Sequence, residues 1–295
     1  MTARTIAVVG TGDMGSAVGA ALRRAGHRVV TDLTGRSAAS RALAARAGLE
    51  DLGSLANVLG AADLFFSIVP PAIAVEFARR VRAALGAANA RPVFVDCNAV
   101  APETLRSIAA LFADAGVTVV DVGIIGPAPR QGAPPTRFYV SGEGRSRLLD
   151  LEVPELAVID LGAELGRASA MKMVYAAMNK GTDALYTAVL MAAEQLGVRA
   201  ELMAEFRDSQ PQAAERMAAR IPYLAATAAR FTGEMREIAA TFASAGVTPD
   251  FHRGAEWVYA TLARTPLAAE TRATLPKHRS LDEALAVFCT ALPKR

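Results

Sequence analysis

The stretch Thr5-Ile6-Ala7-Val8-Val9-Gly10-Thr11-Gly12-Asp13-Met14-Gly15 decides the fold. Its apolar first half suits a buried strand, and it runs straight into a turn with glycine at three spaced positions. Gly10 permits a tight strand-to-helix turn, Gly12 lets the backbone approach a pyrophosphate, and Gly15 lets the next helix pack on the sheet. Residues 16–25 are alanine-rich and helical in character, and Gly26 and His27 lead to a second strand over 28–31. Phosphates would sit on the free N–H groups at the helix start, where the macrodipole favours negative charge. The expected dinucleotide cradle is Gly10, Thr11, Gly12, Asp13, Met14 and Gly15.

Outward from this unit, strands are expected at 64–69, ending in Pro70 and Pro71, and at 93–96, ending in Cys97 and Asn98. A further strand over 117–122 is followed by a polar, proline-rich loop and a strand over 138–141. Strands alternating with alanine-rich helices imply a doubly wound, mostly parallel sheet, with ligand outside the carboxyl ends of the strands. From about Gly166 strand signals disappear, and breaks near Pro211, Pro222, 246–249 and Pro266 divide a helical remainder. The expected class is α/β: a Rossmann NAD(P)-binding domain over 1–165, then an all-helical C-terminal domain for substrate and dimerisation over 166–295.

Composition narrows the function classes. The chain has 295 residues, 52% of them hydrophobic, which suits two domains with ample core. A net charge of +3 with scattered Lys and Arg gives no basic stripe of the kind nucleic acid requires. The two cysteines, Cys97 and Cys289, have no metal-ligand or disulfide-framework spacing. The strand begins within a few residues of the N-terminus, and no apolar run reaches the roughly 18 to 20 residues of a membrane span. A soluble cytoplasmic protein without metal, membrane or nucleic-acid partner is expected.

Helix character is strongest over 168–196, where Ala, Met and Leu dominate. Its polar exceptions Lys172, Tyr175, Asn179 and Asp183 fall on one helical face. Such a seam is either the solvated side of an amphipathic helix or, since the remaining circumference is apolar, a face turned to a cleft.

Four segments together resemble the β-hydroxyacid dehydrogenase superfamily, which includes 3-hydroxyisobutyrate and 6-phosphogluconate dehydrogenases and, more distantly, imine reductases. They are the 10–15 turn, Phe66-Ser67-Ile68-Val69-Pro70-Pro71, Val95-Asp96-Cys97-Asn98 with Pro102 and Thr104, and the 166–174 run around Lys172. The resemblance makes Lys172 the catalytic acid/base and sets Val69 and Pro70 at the nicotinamide ribose. It gives Asn98 a role in positioning nicotinamide or substrate; capping the helix near Pro102 is the other reading. Chemistry agrees, since oxidising an alcohol by hydride transfer requires a group to remove the hydroxyl proton, and the reverse requires its return.

Two departures bear on substrate. Where hydroxyacid dehydrogenases carry an Asp-Ala-Pro-Val-Ser-Gly-Gly run that grips a carboxylate, this chain reads Asp121-Val122-Gly123-Ile124-Ile125-Gly126-Pro127. The substrate candidates there are Ile125 and Gly126, joined by Tyr175 and Asn179 on the helix; four residues past the lysine stands Ala176 instead of asparagine. The stretch from Asp121 through Gly132 to Tyr139, Ser141 and Gly142 is more similar to that of imine reductases, which generally put aspartate or tyrosine where this chain keeps Lys172. Near Gly233 the dehydrogenases have a Lys-Asp pair, and here Glu234 and Glu237 follow instead. Glu234 suits a hydroxylated or cationic substrate, or else pairs with neighbouring arginines on the helix surface.

The end of the second strand selects the cofactor. Asp32 lies about 20 residues after Gly10, the spacing of the acid that binds the NAD ribose. Arg36 and Ser37 resemble the run that binds the 2′-phosphate in NADP-using relatives, so NADP is preferred, with NAD the alternative. The expected function is an NAD(P)-dependent oxidoreductase acting on a small hydroxylated or carbonyl substrate. The alternatives are an imine reductase or reductive aminase, and a non-catalytic dinucleotide sensor. Apolar surface in the helical part, including Trp257, would make a monomer prone to associate, and the resemblance, whose members pair through this part, implies a homodimer.

Overall fold

The computed structural model describes residues 3–88, 91–271 and 274–293. The chain divides into two compact units, Met1–Met173 and Val174–Arg295. The division falls inside a long helix, a little beyond residue 165.

The first unit begins with β1 (Thr5–Val9), α1 (Asp13–Arg24), β2 (Arg28–Thr31), α2 (Ala38–Ala47), β3 (Glu50–Asp51) and α3 (Leu55–Ala61). It continues through β4 (Leu64–Ser67), α4 (Ala74–Ala88), β5 (Val93–Asp96), α5 (Pro102–Ala110), β6 (Val119–Ile125) and β7 (Thr136–Ser141). After α6 (Ser146–Leu149) and β8 (Leu156–Asp160), α7 (Arg167–Leu196) leads into the second unit. The sheet order is β3-β2-β1-β4-β5-β6-β7-β8, parallel except where β6 meets β7. Strand order reverses between β1 and β4, and in open α/β sheets ligands bind at the carboxyl ends of strands at such a switch point.

Helices on both faces explain why the central strands β4 and β5 are buried along their whole length and are mostly apolar. Along β1, Ile6 and Val8 enter one core layer, Ala7 and Val9 the other. Helix α1 brings Val18, Ala21 and Leu22 to the first layer, and α4 brings Phe77, Ala78, Val81 and Leu85 to the second. Phe65 stacks between Phe77 and Phe94, with ring centroids 6.3 and 5.8 Å away.

Two features differ from the sequence expectation. Strand β6 starts at Val119 and continues through Gly123 to Ile125, because antiparallel pairing with β7 draws Ile124 and Ile125 into the ladder opposite Phe138 and Arg137. Strands β3 and β8 have no counterpart among the strands expected from the sequence. The first is two exposed residues at one edge, and the second is held by parallel pairing with β7.

The second unit holds the rest of α7, then α8 (Arg199–Ser209), α9 (Pro211–Arg220), α10 (Ala225–Ser244), α11 (Asp250–Leu262) and α12 (Leu281–Thr290). The expected breaks are in place: Pro211 opens α9 where its missing N–H is harmless, and Pro222 and Pro266 sit in short 3-10 turns. Its core is built on Met235, Ile238, Tyr259, Leu262, Leu285 and Phe288. Between α7 and α11 lies an open groove of about 760 Å³ lined by Met178, Leu185, Phe251 and Trp257. These side chains are exposed, Phe251 to 79%. Among the described residues, no helix is long and apolar enough to cross a membrane.

Candidate functional site

The glycine turn has the geometry its residue types dictate. Gly10 has φ +105°, and a Cβ there would lie 2.1 Å from the Ile68 carbonyl oxygen. A Cβ on Gly15 would lie 2.1 Å from the Gly10 oxygen, so side chains at either position would drive apart β1, β4 and the start of α1. At Gly12 a Cβ would meet nothing within 4 Å, which leaves the exposed face of the turn open for a ligand. Gly12 caps α1 without a side-chain hydrogen bond, so the first amides of the helix have no local side-chain acceptor. The Thr11 hydroxyl is buried without a hydrogen-bond partner. Open space, uncapped amides and an orphaned hydroxyl fit a phosphate-bearing ligand. Asp13 is exposed beside them, while Met14 packs against the core of the sheet.

At the end of β2, Asp32 is 8% exposed and accepts the Thr34 N–H at 2.9 Å through Oδ1. The Ser37 hydroxyl caps α2 by accepting the Ser40 N–H at 3.2 Å, a role not read from the sequence. Arg36 is half-buried, and among the described residues its guanidinium hydrogen-bonds nothing.

At the ends of β4 and β5 lies a buried polar staple. Asn98 accepts the Val69 N–H at 2.7 Å through Oδ1 and donates from Nδ2 to Ser67 Oγ at 3.1 Å and Asp96 Oδ2 at 2.9 Å. Its own N–H donates to Asp96 Oδ1 at 2.9 Å. Asn98 therefore ties the two strand ends together and does not cap α5, whose N-cap is Ala101. Val69 is buried by this arrangement, while Pro70 stays exposed at the strand end. Burial pushes the Asp96 carboxyl up to about 7, against the pull of the Asn98 N–H and with the charge of neighbouring Asp121 adding to the rise.

Asp121 on β6 is the register partner of Asp96. Its Oδ2 accepts the Ser169 N–H at 2.8 Å and the Ser141 hydroxyl at 3.1 Å, and its Oδ1 accepts the Ser169 hydroxyl at 2.7 Å. Ser141 in turn accepts the Ala168 N–H at 3.0 Å. Burial raises the Asp121 carboxyl and these donors oppose the rise. One turn into α7, Lys172 is half-buried and donates from Nζ to the Ile124 carbonyl of β6. The turn at 10–15, Val69, Asn98 and Lys172 thus lie at the carboxyl ends of β1, β4, β5 and β6 in one sheet.

Of the proposed substrate residues, Ile125 is 1% exposed with its side chain in the core, and Gly126 is exposed with φ +124°. The Pro127 carbonyl accepts the Thr136 hydroxyl at 2.7 Å. In the helical unit, Tyr175 is 43% exposed, and Asn179 donates back to its carbonyl at 3.0 Å. Asp183, next on that seam, is buried and bound by Arg216 and Arg220. Glu234 is buried, with the Lys180 ammonium on one carboxylate oxygen and Arg230 at 3.6 Å from the other. Lys180, whose ammonium lies 4.7 Å from the Phe231 ring centre, carries no local signal in the sequence because its partner is 54 residues away.

Residues 5–147 match the NAD-binding domain of 6-phosphogluconate dehydrogenase, and residues 193–262 match a domain family of unknown function. A 3-hydroxyisobutyrate dehydrogenase of Pseudomonas aeruginosa is 32% identical over 146 residues, which is 48% of this chain and 48% of the relative. The chain's match thus spans about half the length of that curated relative. Among solved structures, a conserved protein of unknown function with structural similarity to 3-hydroxyacid dehydrogenases is 27% identical, with a TM-score of 0.64, covering 88% of this chain and 96% of its own. The 3-hydroxyisobutyrate dehydrogenase of Mycobacterium tuberculosis, solved with L-serine, shares the fold at 21% identity, with a TM-score of 0.65 over 98% and 99% of the two chains. The chain thus carries a nicotinamide-dinucleotide domain of the 6-phosphogluconate dehydrogenase type over residues 5–147, and its sequence and fold are similar to those of 3-hydroxyacid dehydrogenases.

Proposed function

We propose that the protein is an NAD(P)-dependent oxidoreductase of small hydroxylated or carbonyl substrates, with Lys172 as general acid/base. The observation that carries this reading is the Lys172 amine at the Ile124 carbonyl, on the sheet edge that also bears the glycine turn. A bound nicotinamide dinucleotide supplies the hydride chemistry. The amides at the start of α1 hold its pyrophosphate, and Arg36 holds a 2′-phosphate, which favours NADP; Asp32 in its place would favour NAD. Lys172 takes the substrate hydroxyl proton in oxidation and returns it in reduction.

Imine reduction is the second reading. It is favoured by the 121–127 run, where Ile125 is buried and the Pro127 carbonyl is engaged by Thr136, leaving no serine or terminal glycine to grip a carboxylate. Purified protein assayed with NADPH and NADH against hydroxy acids, sugar acids, their carbonyl counterparts and cyclic imines separates the two readings. Tight dinucleotide binding without turnover of any class would leave only the sensor.

Assembly follows the exposed groove. Met178, Leu185, Phe251 and Trp257 make a contiguous apolar face that a second copy would cover. Light scattering is expected to give a dimer, and Phe251→Asp with Trp257→Ala a monomer. A wild-type monomer at micromolar concentration sinks the proposal.

A further inference from the structure

The start of α7 is capped from the sheet and not by its own sequence. Its flanking residue, Gly166, has φ +101° and no side chain to offer, so the amides of Ala168 and Ser169 need acceptors from elsewhere. They find them in Ser141 of β7 and Asp121 of β6. A second contact lies one turn on, where Lys172 donates to the Ile124 carbonyl of the same strand. Between the two contacts stands Gly123. A Cβ there would lie 2.5 Å from the Ala168 carbonyl oxygen and 3.1 Å from the Lys172 Cβ. The φ of Gly123 is not in the left-handed region, so glycine is required here by proximity and not by backbone conformation. Strand β6 and the first turn of α7 are therefore in near-backbone contact, pinned on one side by a carboxylate and on the other by the lysine itself.

We propose that Asp121 and Gly123 are positioning residues: they hold the first turn of α7 against β6 and so fix the Lys172 amine at the carboxyl end of the sheet. The functional part of this inference rests on the reading of Lys172 as the acid/base. Asp121 suits the task because its oxygens are fully engaged by three donors in a dry setting, where charge-assisted hydrogen bonds are strong and directional. Gly123 sets the distance and Asp121 the position along the strand.

The test reads the amine directly, independently of any substrate. Wild type, Asp121→Asn, Gly123→Ala and the milder Ser169→Ala are labelled with trace acetic anhydride. The neutral amine displaces acetate from the anhydride, and acetylation at each lysine is followed by peptide mass spectrometry. Exposed Lys277 is the reference, and Lys180 reports on loosening of the helical unit. Lys172 labelling is expected to rise about fivefold in Asp121→Asn and Gly123→Ala, as for loss of one restraining hydrogen bond, with Lys180 unchanged. Ser169→Ala removes only the bond to Oδ1 and should move Lys172 in the same direction by less. It keeps the test decisive if the two buried variants do not fold. Unchanged Lys172 labelling in every folded variant overturns the proposal, as does a parallel rise at Lys172 and Lys180. Where a turnover assay exists, the variants should lower kcat with KM nearly constant. Full turnover by Lys172→Met would remove the acid/base reading while leaving the labelling result to judge the clamp.

Discussion

The two units bury carboxylates in opposite ways. In the Rossmann unit, Asp96 and Asp121 are each 1% exposed, and the hydrogen bonds they accept come from neutral N–H and O–H donors. In the helical unit, Asp183 and Glu234 are also buried but carry two cations each: Arg216 with Arg220, and Lys180 with Arg230. Dipoles satisfy a carboxylate while leaving it sensitive to burial, so Asp96 rises to about 7. They also hold particular backbone groups: Asp96 holds Asn98, and Asp121 holds the start of α7. Three of these four ion pairs instead join separate helices, α7 to α9 and α7 to α10. One arrangement orders a site; the other fastens a scaffold.

If chemistry is confined to the ordered sheet edge, the largest effect belongs to Lys172. Lys172→Met should reduce turnover by about 100- to 10,000-fold, the range for losing general acid/base catalysis, with NAD(P)H affinity nearly unchanged. Near wild-type rates at neutral pH would move the role to Tyr175 and break the contrast between the units.

The scaffold half of the comparison is tested by removing the cations from Asp183. Arg216→Met with Arg220→Met leaves a buried carboxylate uncompensated and should destabilise by about 3 kcal/mol in urea unfolding. This is the low end of the usual range, because the guanidiniums are 35% and 51% exposed and water can reach the gap. Loss of stability without loss of NAD(P)H binding supports the division of labour, whereas selective loss of binding contradicts it.

A smaller effect is expected where the sheet edge meets the cofactor's ribose. Arg36→Ala should weaken NADPH binding about tenfold, as for loss of a charge-assisted contact, and leave NADH unaffected. Equal changes for the two would hand selection to Asp32.

The smallest effect is a slope. The folded state keeps a proton on Asp96 at pH values where the unfolded chain has lost it. Its contribution to stability is thus complete in acid, below the ordinary aspartate range, and is lost as pH rises through about 7. Unfolding free energy measured from pH 4 to 8 should fall less steeply in Asp96→Asn than in wild type; parallel curves would show that Asp96 is ionised throughout.

By itself the sequence determined what local patterns encode. The 10–15 turn is legible because only glycine tolerates φ +105° at Gly10 or the approach of a carbonyl at Gly15, so the residue type reports the geometry. The parallel sheet follows from short apolar strands alternating with alanine-rich helices, and the helical C-terminal unit from the disappearance of those strands. The lysine seam on α7 follows from helical periodicity.

Tertiary structure alone decided the partners. Nothing near Asp121 announces Ser169, 48 residues on, and nothing near Lys180 announces Glu234, 54 residues on. Asn98 reads equally well as a cap or a ligand until the fold brings Ser67 and the Val69 N–H beside it. Gly123 looks like the end of a strand and proves to lie where a side chain would strike the Ala168 carbonyl of a helix. Backbone conformation is governed by neighbours along the chain, which the sequence prints in order. Hydrogen-bond and charge satisfaction is governed by neighbours in space, which exist only once the sheet and helices have packed.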